Sequence, residues 1–342
     1  HDGVVGEPGV GKTVSPVPRA RLPRLIFQLN EVGLDLFRPA FQGVVAPRVH
    51  ELLEAGVGHT VYVEEERLNR FKHSPRVPPL RSIRYCLETG CCSIDSIDRF
   101  AVGWDHGTYW MPGVGFKRYQ VSKHYLHMLP FDANAPNVHF VNHHEAHALS
   151  SFLFSGFPEA NVISLDATGG RESGLLGVAR GTKLETLHRV SNDSSWGILY
   201  GTITDALGFL SHSDEGKVMG LAAYGTADPD AMNFIDWDRE IPWIDRKRFK
   251  KYASTLKRRH PKDPLTDDHK NLAATVQQTL ERAIVQMSRY LHGKSKLTAF
   301  CLGGGCALNC SANGKLLREA HVKDLFVQPA AHDASTALGA AF

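Results

Sequence analysis

The chain contains no apolar run approaching the roughly 20 residues that a membrane-spanning helix needs, so no span is expected. It has no basic, apolar leader at its start, which makes a cytoplasmic location the expectation. Cysteine is sparse, and Cys86, Cys91, Cys92, Cys301, Cys306 and Cys310 form no C-x-x-C pair and keep no even spacing. That argues against a disulfide framework and for free thiols in a reducing compartment. Neither sign of charge dominates. With 39 Lys and Arg against 36 Asp and Glu, a net charge of +3 gives no electrostatic reason to expect nucleic acid as a partner. An initiator methionine is missing too: the sequence opens on His1 and stops at Phe342 inside a helical pattern, as a piece of a longer protein would.

Histidine, by contrast, is abundant, with eighteen in 342 residues. The run NHHEAHALSSFLF at 142–154 concentrates three of them. Just before it, NVHFV at 137–141 reads as a short strand; after it the period turns helical, with Ala146, Leu149, Leu153 and Phe154 on one side. A helix starting near His144 stacks His143 and His147, four apart, in its first turn, where two imidazoles can share a metal ion. For a bare H-x-x-x-H the commoner explanation is a helix start whose histidines hydrogen-bond locally. A carboxylate brought from elsewhere decides between the two.

Residues 1–56 form an atypical N-terminal segment with an insertion. GEPGVGKT at 6–13 fits the phosphate-loop pattern, but that loop works only between a strand and a helix, and Pro16, Pro18 and Pro23 forbid a regular helix after it. A helix is plausible at 45–54. Order resumes with a strand at 60–63, a charged turn, a helix at 80–88 and a strand at 99–104; residues 105–136 are irregular. Three strands follow at 161–166, 174–180 and 184–190, and a helix at 195–208. Residues 228–268 read as a polar surface excursion whose basic run is a solvated face. Leu272, Val276, Leu280, Ile284, Met287 and Leu291 place one apolar stripe on a helix at 271–292. A strand, a glycine loop, a helix, a strand and a final loop-helix close the chain.

Three mouths at strand ends can carry chemistry. A strand ending in Asp166 and turning through glycine presents backbone amides to phosphate, and Asp166 can help orient a metal or a nucleophile there as a catalytic candidate; a simple hairpin is the alternative. Gly303–Gly305 before a helix offers a second amide-lined mouth, although tight turns use glycine for their own reasons. His332-Asp333 makes a third, where Asp333 can complete a two-histidine, one-carboxylate metal set.

The strings VEEERLNRFKH, NHHEAHALSSF, SDEGKVMGLAAYG, GGGCALNCSANGKLL and FVQPAAHDASTALGAA resemble the O-carbamoyltransferases of the nodulation-factor, cephamycin and tobramycin type, in the family's order and over residues 57–342. The resemblance extends to the tRNA threonylcarbamoyl transferases. It implies an α/β fold like that of actin, Hsp70 and the sugar kinases: two lobes, 57–155 and 156–342, with a central cleft. The implied activity is activation of carbamoyl phosphate by ATP to carbamoyl-adenylate, then carbamoyl transfer to the hydroxyl of a sugar or other specialised metabolite. The first step belongs to a C-terminal adenylate-forming domain, normally in the same chain, before which this sequence stops.

Carried over position by position, the resemblance implies metal ligands at His143, His147 and Asp333, with Fe²⁺ the favoured ion, and leaves His144 out. It implies nucleotide contacts at Gly304, Gly305, Asn309 and Asn313, and a phosphate turn at Asp166 and Gly169, where the family's DGxGE reads DATGG. Lys217, Met219 and Gly220 match a segment lining the cleft. His1-Asp2 matches the first phosphate loop, making His1 a candidate general base, although the strand that should precede it is absent. Asn142 stands where aspartate is usual, which should weaken support for His143. Two readings compete: a tRNA-modifying threonylcarbamoyl transferase, against which ALNCSANGKLL and VMGLAAYG argue, and a non-catalytic nucleotide-binding fragment.

Of the two glycine-rich loops, the second should bind nucleotide. Lys12→Ala should leave ATP affinity unchanged in a calorimetric titration, because its loop has no helix to follow it. Asn309→Ala and Gly305→Val should both weaken it.

Overall fold

The computed structural model describes residues 61–74, 77–104 and 137–341, together with two strands farther upstream. In chain order the strands are β1 (Arg24–Gln28), β2 (Gln42–Ala46), β3 (Val61–Glu64), β4 (Phe100–Val102), β5 (Val138–Phe140), β6 (Glu159–Gly169), β7 (Glu172–Arg180), β8 (Lys183–Ser191), β9 (Ile235–Asp236), β10 (Trp243–Ile244), β11 (Ala299–Gly303) and β12 (Asp324–Val327). The helices are α1 (Glu65–Asn69), α2 (Leu80–Thr89), α3 (His143–Leu153), α4 (Trp196–Ala206), α5 (Glu215–Ala222), α6 (Arg246–Thr255), α7 (Asp267–Ser295), α8 (Cys310–Leu317) and α9 (Thr336–Ala340).

Five strands make the larger sheet in the order β12-β11-β6-β7-β8. The meander β6-β7-β8 is antiparallel, while β11 runs parallel to both β6 and β12. Its central strands are buried on both faces, and period-two alternation sorts their side chains. Ile163, Leu165, Phe300 and Leu302 face the core shared with Leu199, Ile203, Val276, Leu280 and Ile284 of α4 and α7. Ala160, Val162 and Cys301 face Ala148 and Phe152 of α3 on the other side.

The smaller lobe repeats the plan. β1, β2 and β3 pair antiparallel, β4 and β5 pair parallel, and β1 lies beside β4. The order β3-β2-β1, β4-β5 thus mirrors β8-β7-β6, β11-β12. This is the expected two-lobed α/β arrangement. α9 joins the halves, packing on α3 and meeting β1, β2 and β4.

Several expectations need correction. The charged run after β3 is a short helix, α1, closed by Arg70 in the left-handed region with its N–H on the Glu66 carbonyl. Residues 228–268 are more than a surface excursion: Met232, Phe234, Ile235, Ile244 and Phe249 are buried in the main core, while most basic positions of α6 and most of 257–268 stay exposed. The helix expected at 45–54 begins inside β2, and its remainder lies outside the described residues, as do the GEPGVGKT loop, His1 and residues 105–136.

The seat of α3 is tight enough to test. A Cβ on Gly339 would stand 1.7 Å from the Ala146 carbonyl oxygen and 2.8 Å from the Ser150 nitrogen. Gly339→Ala must therefore push α9 off α3, at about 3 kcal/mol, read as a lower urea midpoint with an unchanged slope.

Candidate metal centre and nucleotide cleft

Helix α3 starts where Asn142 caps it, its side-chain oxygen accepting from the N–H groups of His144 and Glu145 at 3.0 and 3.1 Å. That start projects His143 and His147 from one helical face, and both are fully buried. Their Nε2 atoms lie 3.1 Å apart. Asp333, from the turn before α9, brings Oδ1 to 3.4 Å from His143 Nε2 and 3.5 Å from His147 Nε2. Asp166, from β6, brings Oδ2 to 3.3 Å from His147 Nε2. One donor atom from each of the four lies within 4.8 Å of the others.

A cation about 2.1 Å from each donor needs neighbouring donors about 3.0–3.4 Å apart. His143, His147 and Asp333, at 3.1, 3.4 and 3.5 Å, come close to that spacing, Asp166 reaches to 3.3 Å from His147 Nε2, and the surroundings aim them. The His143 Nδ1–H donates to the Gly103 carbonyl at 3.1 Å, leaving Nε2 with its lone pair toward the cluster. Trp104 covers the same ring, centroid to centroid 4.4 Å. On His147, Nδ1 faces Ser335 Oγ at 3.5 Å. The aspartate at 166 is held by backbone amides: Oδ1 accepts from Ala167 N–H at 2.6 Å and Oδ2 from Gly305 N–H at 3.0 Å.

The electrostatics agree. Burial by itself pushes the His147 imidazole down, but its hydrogen bonds to Asp166 and Asp333 outweigh burial and hold it up at about 9. Burial likewise raises Asp333, and the hydrogen bonds from His143 and His147 more than reverse this, leaving its carboxyl well below the ordinary range. In metal-free protein a proton therefore sits where a cation would. His144 differs: burial and the neighbouring His143 push it down to about 3, and its ring turns away, with Nδ1 3.5 Å from Ser164 Oγ.

Beside the cluster runs a cleft of about 350 Å³. Its polar lining includes Asp166, Asp333, His332, His212, Ser213 and His73, and the rest of its wall includes Leu280, Leu308, Met219, Tyr200, Cys306 and Asn309. Asn309 is buried and fixed, its Oδ1 accepting from Ala312 N–H at 2.9 Å and its Nδ2 donating to Gln277 Oε1 at 2.8 Å. Burial holds the Cys306 thiol in its neutral form.

Of the residues singled out from the sequence, the structure gathers His143, His147, Asp166 and Asp333 into one cluster and puts Gly305, Asn309 and Met219 on the cleft wall. Gly304, at φ 82°, makes the turn that sends Gly305 to Asp166. Gly169 packs on the metal-ligand helix, where a Cβ would come 2.3 Å from His143 Cδ2. Asn313 braces the loop, donating to the Ala307 carbonyl at 2.7 Å. Lys217 points to solvent, 59% exposed and paired with Asp214 at 2.9 Å, and neither it nor Gly220 lines the cleft. Asn142 caps α3 and donates to Glu172 Oε2 at 3.4 Å, and it is the Gly103 carbonyl that holds His143 Nδ1. His73, His212, Tyr200 and Glu215 were not read from the sequence as cleft residues. For His73, His212 and Glu215, only their positions inside or beside the family-like strings could have flagged them, and Tyr200 carried no such signal.

The proton on His147 has a measurable consequence. Metal binding needs that imidazole neutral, so close to one proton should leave per ion bound at pH 7, read by calorimetry in buffers of different ionisation heat. Release should fade above pH 9. Because the folded value of about 9 lies above the ordinary 6.5, the stability it lends the metal-free protein is complete below 6.5 and lost as pH rises through 9.

Comparison with known proteins agrees with this geometry. A family model described as "Carbamoyltransferase N-terminus" matches residues 108–342. The nodulation protein NolNO of Sinorhizobium fredii is 37% identical over 303 residues, covering 82% of this chain and 43% of that protein. The 3'-hydroxymethylcephem-O-carbamoyltransferase of Streptomyces clavuligerus is 26% identical over 149 residues, 43% of this chain and 28% of that enzyme. Among solved structures, full-length HypF in its phosphate- and nucleotide-bound form superposes with a TM-score of 0.52 at 12% identity, over 94% of this chain and 55% of HypF, which speaks for the fold alone. The chain spans about half the length of the curated relatives it matches. By the match over 108–342 and the arrangement of its two lobes, the chain belongs to the carbamoyltransferase family, as that family's N-terminal part.

Proposed function

We propose that this chain carries the transfer step of an O-carbamoyltransferase, moving a carbamoyl group from carbamoyl-adenylate to a hydroxyl of a sugar or other specialised metabolite. The observation that carries the reading is a cleft that shares Asp166 and Asp333 with the cluster of His143, His147, Asp166 and Asp333. Its apolar lining, Leu280, Leu308 and Met219, together with the polar atoms of Asn309 and Tyr200, suits a nucleoside. The two aspartates would then lie against the mixed anhydride of such a ligand. Carbamoyl phosphate and ATP are the proposed precursors of the adenylate, joined by a C-terminal domain in the same chain, and the acceptor is a small molecule.

The donor set suits a divalent ion of the imidazole- and carboxylate-binding kind, Fe²⁺ being the one that two histidines and a carboxylate favour. Held there, the ion would supply Lewis acidity next to the carbamoyl carbonyl. The chain's own residues do the rest. His143, aimed by Gly103, and His147, backed by Ser335, keep the donor atoms oriented before substrate arrives. The Gly305 amide fixes the Asp166 carboxylate on the cleft wall.

Hydrolysis of preformed carbamoyl-adenylate, with water in place of the acceptor, is the direct assay. Release of AMP should depend on the divalent ion, stop on chelation, and fall by about 100-fold or more in Asp333→Ala. AMP release that survives both treatments would refute the reading.

A further inference from the structure

The lobe of β3 and α1 sends one loop into the cleft, and that loop is strained. His73 (φ 62°) and Ser74 (φ 40°) are consecutive non-glycine residues in the left-handed region, which L side chains adopt only at a cost. The surroundings enforce it. The His73 N–H donates to Glu66 Oε2 at 2.6 Å, the buried Ser74 N–H donates to the Phe71 carbonyl at 2.9 Å, and Asn69 Nδ2 donates to Ser74 Oγ at 2.9 Å. What this achieves is the placement of the His73 ring on the cleft wall. Across the cleft His212, another left-handed residue at φ 59°, lines the same cavity. Strain of this kind persists where function needs the geometry.

Carbamoyl transfer to a hydroxyl needs a group to take the hydroxyl proton. Asp166, Asp333, His143 and His147 are committed to one another as the metal set. His332 has its Nδ1 accepting from the Ala334 N–H at 3.3 Å and its Nε2 facing Glu64 at 3.8 Å. His1 lies outside the described residues. His73 has what the task requires. Its Nε2 stands 3.4 Å from Ser213 Oγ, while Nδ1 is backed by Glu66 Oε2 at 4.0 Å. Ser213 is pinned by Lys72, whose Nζ donates to Oγ at 2.9 Å and to the carbonyl at 3.3 Å. In the tautomer with its hydrogen on Nδ1, toward Glu66, His73 Nε2 accepts from the Ser213 hydroxyl. Ser213 thus marks where a substrate hydroxyl can approach the same nitrogen.

We propose that His73 is the general base of the transfer, a role that rests on the O-carbamoyltransferase reading above. The acceptor oxygen bonds to the carbamoyl carbon as its proton passes to His73 Nε2. The bond from that carbon to the phosphate oxygen breaks, AMP leaves with the electron pair, and the imidazolium, steadied by Glu66, returns its proton to water. The groups facing the ring are Glu66 on α1, Lys72 on its own loop, Ser213 opposite, and His332 and Asp333 beside the metal set. Burial and the Lys72 ammonium lower the affinity of His73 for a proton below the ordinary histidine range, against smaller upward pulls from Glu66 and Asp333, so the base form is present at neutral pH.

Asparagine and glycine both accept a left-handed backbone, so His73→Asn and His73→Gly test the ring without breaking the loop. Preformed carbamoyl-adenylate is offered to the full chain with glycerol as the hydroxyl probe, and carbamoyl-glycerol, AMP affinity and metal content are measured. Transfer should fall about 100-fold in both variants with AMP affinity and metal content unchanged. The acid limb of the rate–pH profile should vanish in His73→Asn, and added imidazole should restore His73→Gly in a concentration-dependent way. Transfer within about threefold of the unsubstituted chain, well short of what a general base contributes, removes His73 from the chemistry and leaves the proposed function standing. A loss that tracks weakened AMP binding and ignores imidazole makes the residue structural and equally overturns the proposal. If the unsubstituted chain turns over no carbamoyl-adenylate, the proposed function fails, and this role fails with it.

Discussion

The structure depends on how closely other segments approach the first two turns of helix α3. A Cβ on Gly169 would meet His143 Cδ2 at 2.3 Å and His144 Nε2 at 2.6 Å; one on Gly303 would meet the His147 carbonyl oxygen at 2.7 Å. Gly339 lies against Ala146 still more closely. These glycines come from β6, β11 and α9, and each lets its segment's backbone rest directly on α3. Only that contact brings Asp166, at the end of β6, and Asp333, just ahead of α9, within reach of two histidines on one helix. Gly103, the fourth member, fits against Thr336 and offers its carbonyl to His143.

Convergence on this scale has an electrostatic cost that needs a cation. Two carboxylates drawn together inside a protein repel, and burial penalises both. Without metal the charge is offset by a proton on His147; with metal it is offset by the ion. Asp166 and Asp333 of the same cluster also line a cleft whose wall includes the apolar Leu280, Leu308 and Met219. His73 adds the only first-lobe side chain, among the described residues, on that cleft's wall, which ties proton transfer to the approach of the two lobes.

Much of this was legible in the sequence, for identifiable reasons. The strands β6, β7 and β8 carry β-prone runs bounded by glycine turns, and α7 carries an unbroken apolar stripe, so local pattern and tertiary role coincide. The pairing of His143 with His147 follows from helical spacing alone; Asp333 was a candidate carboxylate at a strand-end mouth that the family resemblance singled out, since nothing local to HDAS reports what it meets 186 residues away (333 minus 147). Asp166 was read at a phosphate turn, able to orient a metal or a nucleophile, and the fold sets it directly beside the histidines. The core role of 228–268 was hidden because Phe234, Ile244 and Phe249 are scattered through a polar, proline-punctuated stretch with no period. His73 escaped because its placement depends on left-handed backbone, which a lysine-histidine-serine string does not advertise.

The central claim is that α3 and two aspartates from distant segments form one metal centre. X-ray absorption at the iron edge, on protein loaded anaerobically with Fe²⁺, reads that centre directly. The account predicts a first shell of nitrogen and oxygen donors at about 2.0–2.2 Å with the multiple-scattering signature of two imidazoles, lost in His143→Ala/His147→Ala. A shell without imidazole scattering, or one unchanged by the double substitution, would contradict it.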